Sequence, residues 1–287
     1  MIEPFAASAF PYRGEIPDGG GPFLDLDGCG HTSPRGGPLW EAQTYSDRSV
    51  LLFVPNALPR EGPELIVVYF HGNRVRLQRD VVGRQGVPRQ LAASGLNAVL
   101  VVPQMAVDAL DSSAGQFWQA GHFARFLDEA AERLAQHTGR PREVFARAQV
   151  VIVAYSGGYL PAAFALERGG ANERIRGVIL LDALYGESER FTRWLAGRPP
   201  AFFVSAYSAS TRTQNAALRR SLGEGRAQSR LPDRLVPQMV VFQDTPPNVV
   251  HDDFVTRAWV SDPLRDVLRR VAQPRQAAER PQRPQGQ

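Results

Sequence analysis

Short apolar runs recur along the chain from residue 49 onward. Ser49–Val54 stops at Pro55, Leu65–Phe70 is apolar without interruption, and Ala98–Val102 stops at Pro103. Gln149–Val153, Val178–Leu181, Ala201–Ser205 and Met239–Phe242 follow at wider intervals. Continuous apolar runs of this length, bounded by turn residues, predict strands buried on both faces. Between them the period changes. Phe123, Phe126, Leu127, Ala130, Ala131 and Leu134 fall on one face of a helix. Leu264, Val267, Leu268 and Val271 repeat the pattern near the end, behind Ser261-Asp262-Pro263. Cap residues followed by a first-turn proline predict a helix start there. Strands alternating with helices predict an α/β fold: a mostly parallel central sheet with helices on both faces. Ligands of such sheets bind at the carboxyl ends of the strands.

Three regions are expected. Residues 1–44, rich in Gly and Pro, read as an irregular lead-in; the Gly19-Gly20-Gly21 run has no strand before it and reads as loop, not as a phosphate cradle. Residues 45–272 hold the α/β domain with cap-like loops. Residues 273–287, rich in Pro, Gln and Arg, read as a disordered tail. There is no internal repeat.

Composition removes several kinds of chemistry. All 33 basic residues are Arg, and the chain has no Lys. That excludes a Schiff-base mechanism and a phosphate-binding loop built on Lys. Net charge is +4, and the tail's three Arg against one Glu supply half of it. A nucleic-acid partner is therefore not expected. The single cysteine, Cys29, allows no internal disulfide, and no second ligand pair lies near it, so no metal site is read. No cofactor motif is present. No apolar run approaches the ~18 residues of a membrane span. Met1-Ile2-Glu3-Pro4-Phe5 lacks a basic region followed by an apolar stretch, so a cytoplasmic location is the expectation, with export reopened by a start further upstream. Nothing in the pattern fixes the oligomeric state.

The segment richest in chemistry is Ala154-Tyr155-Ser156-Gly157-Gly158. It follows the apolar run Val150–Val153 and leads into Tyr159–Leu166, a helical pattern. A strand that turns at once into a helix, with a serine between small residues, is the pattern of a nucleophile elbow. The bend strains the central residue. Residues two positions to either side, Ala154 and Gly158, must be small to avoid collision. The bend exposes the Ser156 hydroxyl and sets the Gly157 N–H beside the reacting atom. A second loop, His71-Gly72-Asn73-Arg74, comes directly after the Leu65–Phe70 run. Acyl transfer needs two backbone donors aimed at a developing oxyanion, because fixed N–H groups cost no reorganisation when charge appears. Gly157 and Asn73 are the candidates, with Gly72 permitting close approach and His71 orienting the loop.

The HGN loop, the AYSGG elbow and the order of elements around them resemble those of the α/β-hydrolases over roughly residues 45–272. The resemblance implies a serine nucleophile, an acid and a histidine in that chain order. Of His31, His71, His122, His137 and His251, only His251 lies between the last strand and the last helix, where the family carries its base. Many members carry the acid after the strand that here leads into Ala206–Thr211, which has no carboxylate. Some carry it one strand earlier, and there stands Asp182, with Asp244 and Glu187 in reserve. The implied activity is that of a serine hydrolase cleaving a small-molecule carboxylic ester through an acyl-enzyme. Acyl transfer or amide cleavage by the same triad, and a non-catalytic binding protein on the same fold, are the alternatives. Phe117, Trp118, Tyr185 and Trp194 are candidates for lining an apolar substrate pocket.

Overall fold

The computed structural model describes residues 1–59, 61–197, 199–223 and 225–272. The tail expected over 273–287 lies outside the described residues. Eight strands form the central sheet: β1 (Ile2–Pro4), β2 (Ser49–Phe53), β3 (Leu65–Phe70), β4 (Ala98–Pro103), β5 (Gln149–Tyr155), β6 (Ile175–Leu181), β7 (Phe202–Tyr207) and β8 (Val240–Asp244). Their spatial order is β1-β2-β4-β3-β5-β6-β7-β8. Only β2 runs against the rest, pairing antiparallel with β1 and β4; β4 through β8 are parallel. The expected class, a mostly parallel sheet with helices on both faces, is the one observed.

Every residue of β3 and β4 is buried, which accounts for their uninterrupted apolar sequences. Alternate side chains feed two cores. One face (Ile66, Val68, Val150, Ile152, Val178) packs against α2 (His122–Thr138), α3 (Tyr159–Arg168) and α4 (Ser188–Ala196). The other (Val67, Val151, Val153, Ile179, Val204) packs against α1 (Val87–Ala93) and α6 (Pro263–Leu268). A further helix, α5 (Arg212–Ser221), follows β7. Among the described residues, no helix is long and apolar enough to cross a membrane.

The first 44 residues are not the irregular lead-in expected from their composition. β1 adds an edge strand to the sheet. Two small hairpins follow, Glu15–Ile16 with Gly21–Pro22 and Gly30–Ser33 with Gly37–Trp40. Their glycines and prolines make turns around an aromatic cluster. Phe23 is fully buried, with ring centroids 5.9 Å from Phe10, 5.7 Å from Tyr12, 4.9 Å from Tyr45 and 5.5 Å from Trp118. A buried arginine ties the same segment down. Arg190 on α4 lies 4.1 Å over the Phe164 ring and pairs with Asp18, Glu167 and Glu187.

The predicted start of α6 is also corrected in one respect. Asp262 precedes Pro263 as expected, but it adopts φ 60° and makes no side-chain cap bond. In that conformation its carboxylate forms a two-point pair with Arg89 of α1, at 2.6 and 2.7 Å. It fastens two helices together and leaves the helix end uncapped by a side chain.

If residues 1–44 are part of the core, Phe23→Ala removes a fully buried ring and costs about 3–5 kcal/mol. Urea unfolding followed by tryptophan fluorescence measures it. A loss below about 0.5 kcal/mol, the scale of a surface change, would return the segment to a loosely attached arm.

Candidate active site

β5 ends at Tyr155, and the chain bends directly into a short turn, Ser156–Gly158, and then α3. Ser156 has φ 53°, a left-handed conformation that costs a non-glycine residue about 1–3 kcal/mol. Its neighbours explain the strain. A Cβ on Gly158 would lie 2.1 Å from the Phe70 carbonyl oxygen, and one on Gly72 would lie 2.6 Å from Ser156 Cβ. The elbow and the loop after β3 are thus in backbone-to-backbone contact, possible only with glycine at both positions. A Cβ on Gly157 would meet Asn73 Oδ1 at 2.3 Å and Ser112 Oγ at 2.6 Å. Ala154, the departure from glycine on the other side of the serine, is fully buried.

The HGN loop is held by its histidine. His71 is buried; its Nδ1 donates to Gly72 O at 2.7 Å, while Nε2 accepts from the Met105 N–H at 2.9 Å and the Gln104 amide at 3.0 Å. Burial pushes its pKa down to about 4, against smaller upward contributions from Gly72 O and Asp80. The imidazole is therefore a neutral strut, the orienting role its sequence position suggested. Arg74 N–H bonds Ala109 O at 2.8 Å, and the Asn73 N–H beside it has no acceptor among the described residues. The Gly157 N–H lies in the first turn before α3, where amides have no intrahelical partner. Ser112 Oγ donates to Asn73 Oδ1 at 3.2 Å; nothing in the sequence marked Ser112 for this contact.

The remaining two residues come from the C-terminal half. Asp182 follows β6, has φ 44° and is fully buried. His251 opens the turn His251–Val255 after β8. His251 Nδ1 lies 2.7 Å from Asp182 Oδ2. Burial alone would raise the Asp182 pKa. Hydrogen bonds from His251, from Thr211 Oγ1 at 2.6 Å and from the Ser208 N–H at 3.0 Å outweigh it and hold the carboxyl below its usual range. Ser208 Oγ adds contacts of 2.9 and 3.0 Å, and Ser210 Oγ one of 3.3 Å. The loop after β7, which lacks a carboxylate in the sequence, thus supplies the hydroxyls that keep this one ionised. Their role was invisible in sequence because they act on a residue 26–29 positions away. The reserve acids are engaged elsewhere, Asp244 with Arg212 and Glu187 with Arg190.

The His251 ring is held between two tyrosines. Tyr155 stacks on it, centroids 4.9 Å apart and planes at 20°, and its hydroxyl donates to Asp252 Oδ1 at 3.1 Å. Tyr185 meets the ring edge-on, with its hydroxyl 3.3 Å from Nδ1. Ser156, His251, Asn73, Tyr155 and Tyr185 line one cavity of about 450 Å³. Among the described residues no hydrogen bond joins Ser156 Oγ to His251; the two side chains share the cavity without touching through one. Of the other aromatics, Trp118 lines an adjoining cavity, Phe117 is core packing, and Trp194 borders a separate depression beside Arg190.

Strand order with β2 alone reversed, a strained serine after β5, an acid after β6 and a histidine after β8 now stand together. The fold is that of the α/β-hydrolases. No protein-family model matches the sequence, and no curated protein does either. Solved structures with some similarity include an S-formylglutathione hydrolase from Agrobacterium tumefaciens, 12% identical over 78% of this chain and 90% of that one, TM-score 0.49. Another is the BES protein from Bacillus cereus, 13% identical over 77% and 88%, TM-score 0.46. A serine hydrolase homologue from Coxiella burnetii is 14% identical over 84% and 94%, TM-score 0.42.

The His71 strut gives this α/β-hydrolase fold an acid sensitivity of defined sign. Between about pH 6.5, where the unfolded chain's histidine takes up its proton, and about pH 4, where the folded one does, only the unfolded state is protonated. Stability contributed by the neutral ring is complete above pH 6.5 and falls as pH drops to 4, by roughly 3 kcal/mol in all. Urea midpoints across this range are expected to flatten in His71→Gln; a slope unchanged in the variant would contradict the strut.

Proposed function

We propose that the chain is a serine hydrolase that cleaves a carboxylic ester through an acyl-enzyme. The observation that carries the reading is the 2.7 Å contact between the buried Asp182 carboxylate and His251 Nδ1, in a cavity that Ser156 also lines. With Nδ1–H given to Asp182, the lone pair is on Nε2. That nitrogen takes the proton of Ser156 Oγ as the hydroxyl attacks the ester carbonyl, which requires the two side chains to come within hydrogen-bond reach on substrate binding. The carbonyl oxygen becomes negative and is received by the Asn73 and Gly157 N–H groups. Collapse expels the alcohol, protonated by the imidazolium, and leaves the acyl group on Ser156. Water, deprotonated by His251, then attacks the acyl carbon and releases the acid. Asp182 holds the tautomer and favours the imidazolium while remaining ionised, as its hydroxyl and amide donors require. Tyr155 and Tyr185 limit ring rotation of His251.

A fluorophosphonate probe is expected to label the protein once, at Ser156, with labelling lost in Ser156→Ala and in His251→Ala. Ser156→Ala lowers nitrophenyl ester turnover by several orders of magnitude, and Asp182→Asn by roughly 10⁴-fold with an unchanged circular dichroism spectrum. Absence of labelling, with no turnover of any ester, would favour a binding protein that has kept the fold. Near-normal turnover in Asp182→Asn would take the acid role away from it.

A further inference from the structure

The cavity that holds Ser156 and His251 is also lined by Arg35, Arg74, Arg79 and Arg84, against the carboxylates Asp80 and Asp252. These charges do not pair evenly. Asp80 is buried and saturated: Arg79 Nε donates at 2.9 Å, Arg84 Nε at 3.1 Å and the Arg76 N–H at 2.8 Å. Arg79 also reaches Asp108 at 2.9 Å, and Arg84 lies 3.6 Å from Asp252. Those two guanidinium groups are spent within the protein. Arg35 and Arg74 have no carboxylate partner and no side-chain hydrogen bond among the described residues, and both are exposed.

Both are carried by loops that rest on the Ala109–Leu110 segment, Arg74 through its own N–H on Ala109 O and Arg35 through Ser33 Oγ on Leu110 O. Arg35 stands in the turn between Ser33 and Gly37, on the second N-terminal hairpin. Arg74 is the residue after Asn73, held at φ 58° with its N–H on Ala109 O. One unpartnered guanidinium thus follows Asn73 in sequence, and the other lines the same cavity. The adjoining cavity, also about 450 Å³, begins at Arg35 and Leu110 and continues along Ile16, Trp118, Tyr159 and Leu160, with Asp25 and Asp111 also on its wall, so the anionic part of a ligand belongs at the Arg35 end. A ligand spanning both spaces has an apolar part and an anionic part, with the reacting carbonyl at Ser156.

We infer that the ester this site takes carries a carboxylate, bound by Arg35 and Arg74; the inference rests on the hydrolase reading above and names its substrate class. A guanidinium matches a carboxylate with two parallel donors. Asp80 and Asp252 in the same cavity oppose a more highly charged group, so a monoanion fits better than a phosphate dianion. The carboxylate can belong to the acyl or to the alcohol side, and the probes separate the two.

The test compares 4-nitrophenyl hemiglutarate with 4-nitrophenyl pentanoate for the acyl side, and 4-acetoxybenzoate with phenyl acetate for the alcohol side. For one of the two pairs, kcat/KM is expected to favour the charged ester by about tenfold or more, the scale of one hydrogen bond between charged groups. The ratio should shrink as salt rises, since both arginines face water. Arg35→Gln and Arg74→Gln should each lower the charged-to-neutral ratio severalfold. Cleavage of the neutral esters with no advantage for either charged one overturns this inference and leaves the hydrolase reading standing. A preference that both variants retain in full overturns the assignment to these arginines. No cleavage of any of the four, together with no fluorophosphonate labelling, overturns both readings.

Discussion

A fully buried carboxylate organises the C-terminal half of this chain. Asp182 has no exposure to water, and an ionised carboxyl in that position is tolerated only if its oxygens are met by donors. They are met by His251, by Thr211 and Ser210 hydroxyls, and by both the N–H and the hydroxyl of Ser208. The sheet makes this possible. β6 and β7 are paired in register as far as Leu181 and Ala206, and the Asp182 N–H still bonds Ala206 O at 2.8 Å. The acid and its donors therefore leave two adjacent strand ends side by side, in a frame fixed by backbone hydrogen bonds. A buried carboxylate at the end of β6 needs donors from a neighbouring loop. Ser208, Ser210 and Thr211 are that loop, and the absence of a carboxylate there follows from the same electrostatics: a second negative charge beside Asp182 would raise its pKa and weaken its hold on His251.

The N-terminal half of the site obeys a steric rule. Gly158 lies against the Phe70 carbonyl, Gly72 against Ser156, and Gly157 against Asn73 and Ser112. Three absent side chains let the loop after β3 and the turn after β5 touch. Positive φ at Ser156, Asp182 and Arg74 is strain of the kind that persists where the surroundings over-determine a residue. Here the surroundings are a fully buried parallel sheet below and the His71 strut behind.

What the sequence disclosed and what it concealed divide along the range of the interactions. Leu65–Phe70 was legible to the residue because a strand buried on both faces writes itself as a continuous apolar run. β5 and β6 each extend further than their apolar runs, β5 through Ala154 and Tyr155 and β6 back to Ile175, because a polar tip or an Arg on an otherwise buried strand breaks the run without breaking the strand. The sharp bend from β5 through Ser156 into α3 was legible because its rule is local: small residues two positions from a serine. The N-terminal 44 residues were misread because Gly and Pro there serve turns around Phe10, Phe23 and Tyr45, and composition counts the turns, not the rings they enclose. The hydroxyl loop around Asp182, the Ser112–Asn73 contact and the Asp262–Arg89 pair were not legible at all. Each joins residues distant in sequence through one polar contact, and such contacts leave no periodicity.

An all-arginine chain sharpens the argument about the site's charges. Guanidinium groups remain charged wherever they are placed, so a buried one must be answered by carboxylates. Arg190 shows the requirement met, with Asp18, Glu167 and Glu187 converging on a single nearly buried side chain. Around the buried Asp80 carboxylate the roles are reversed, and the exposed Arg79 and Arg84 answer it at the edge of the cavity that Ser156 lines. Acid groups answer these arginines, including those of the π-helical turn Leu77–Arg84 that borders the site, whereas Arg174 is met by the Ala148 and Phe145 carbonyls. Among the described residues, Arg35 and Arg74 have no carboxylate partner on the wall of the cavity that contains Ser156. Water alone satisfies an exposed guanidinium, so neither residue is strained by this. What the arrangement does is leave a net positive field in the cavity that Ser156 lines. A neutral ester gains nothing from that field in its ground state, whereas a bound anion is drawn to it before any bond is broken. The two segments that present these arginines, the N-terminal hairpin and the loop beside Asn73, are held by the aromatic cluster and by His71 respectively. The backbone positions of the two arginines are therefore fixed relative to Ser156.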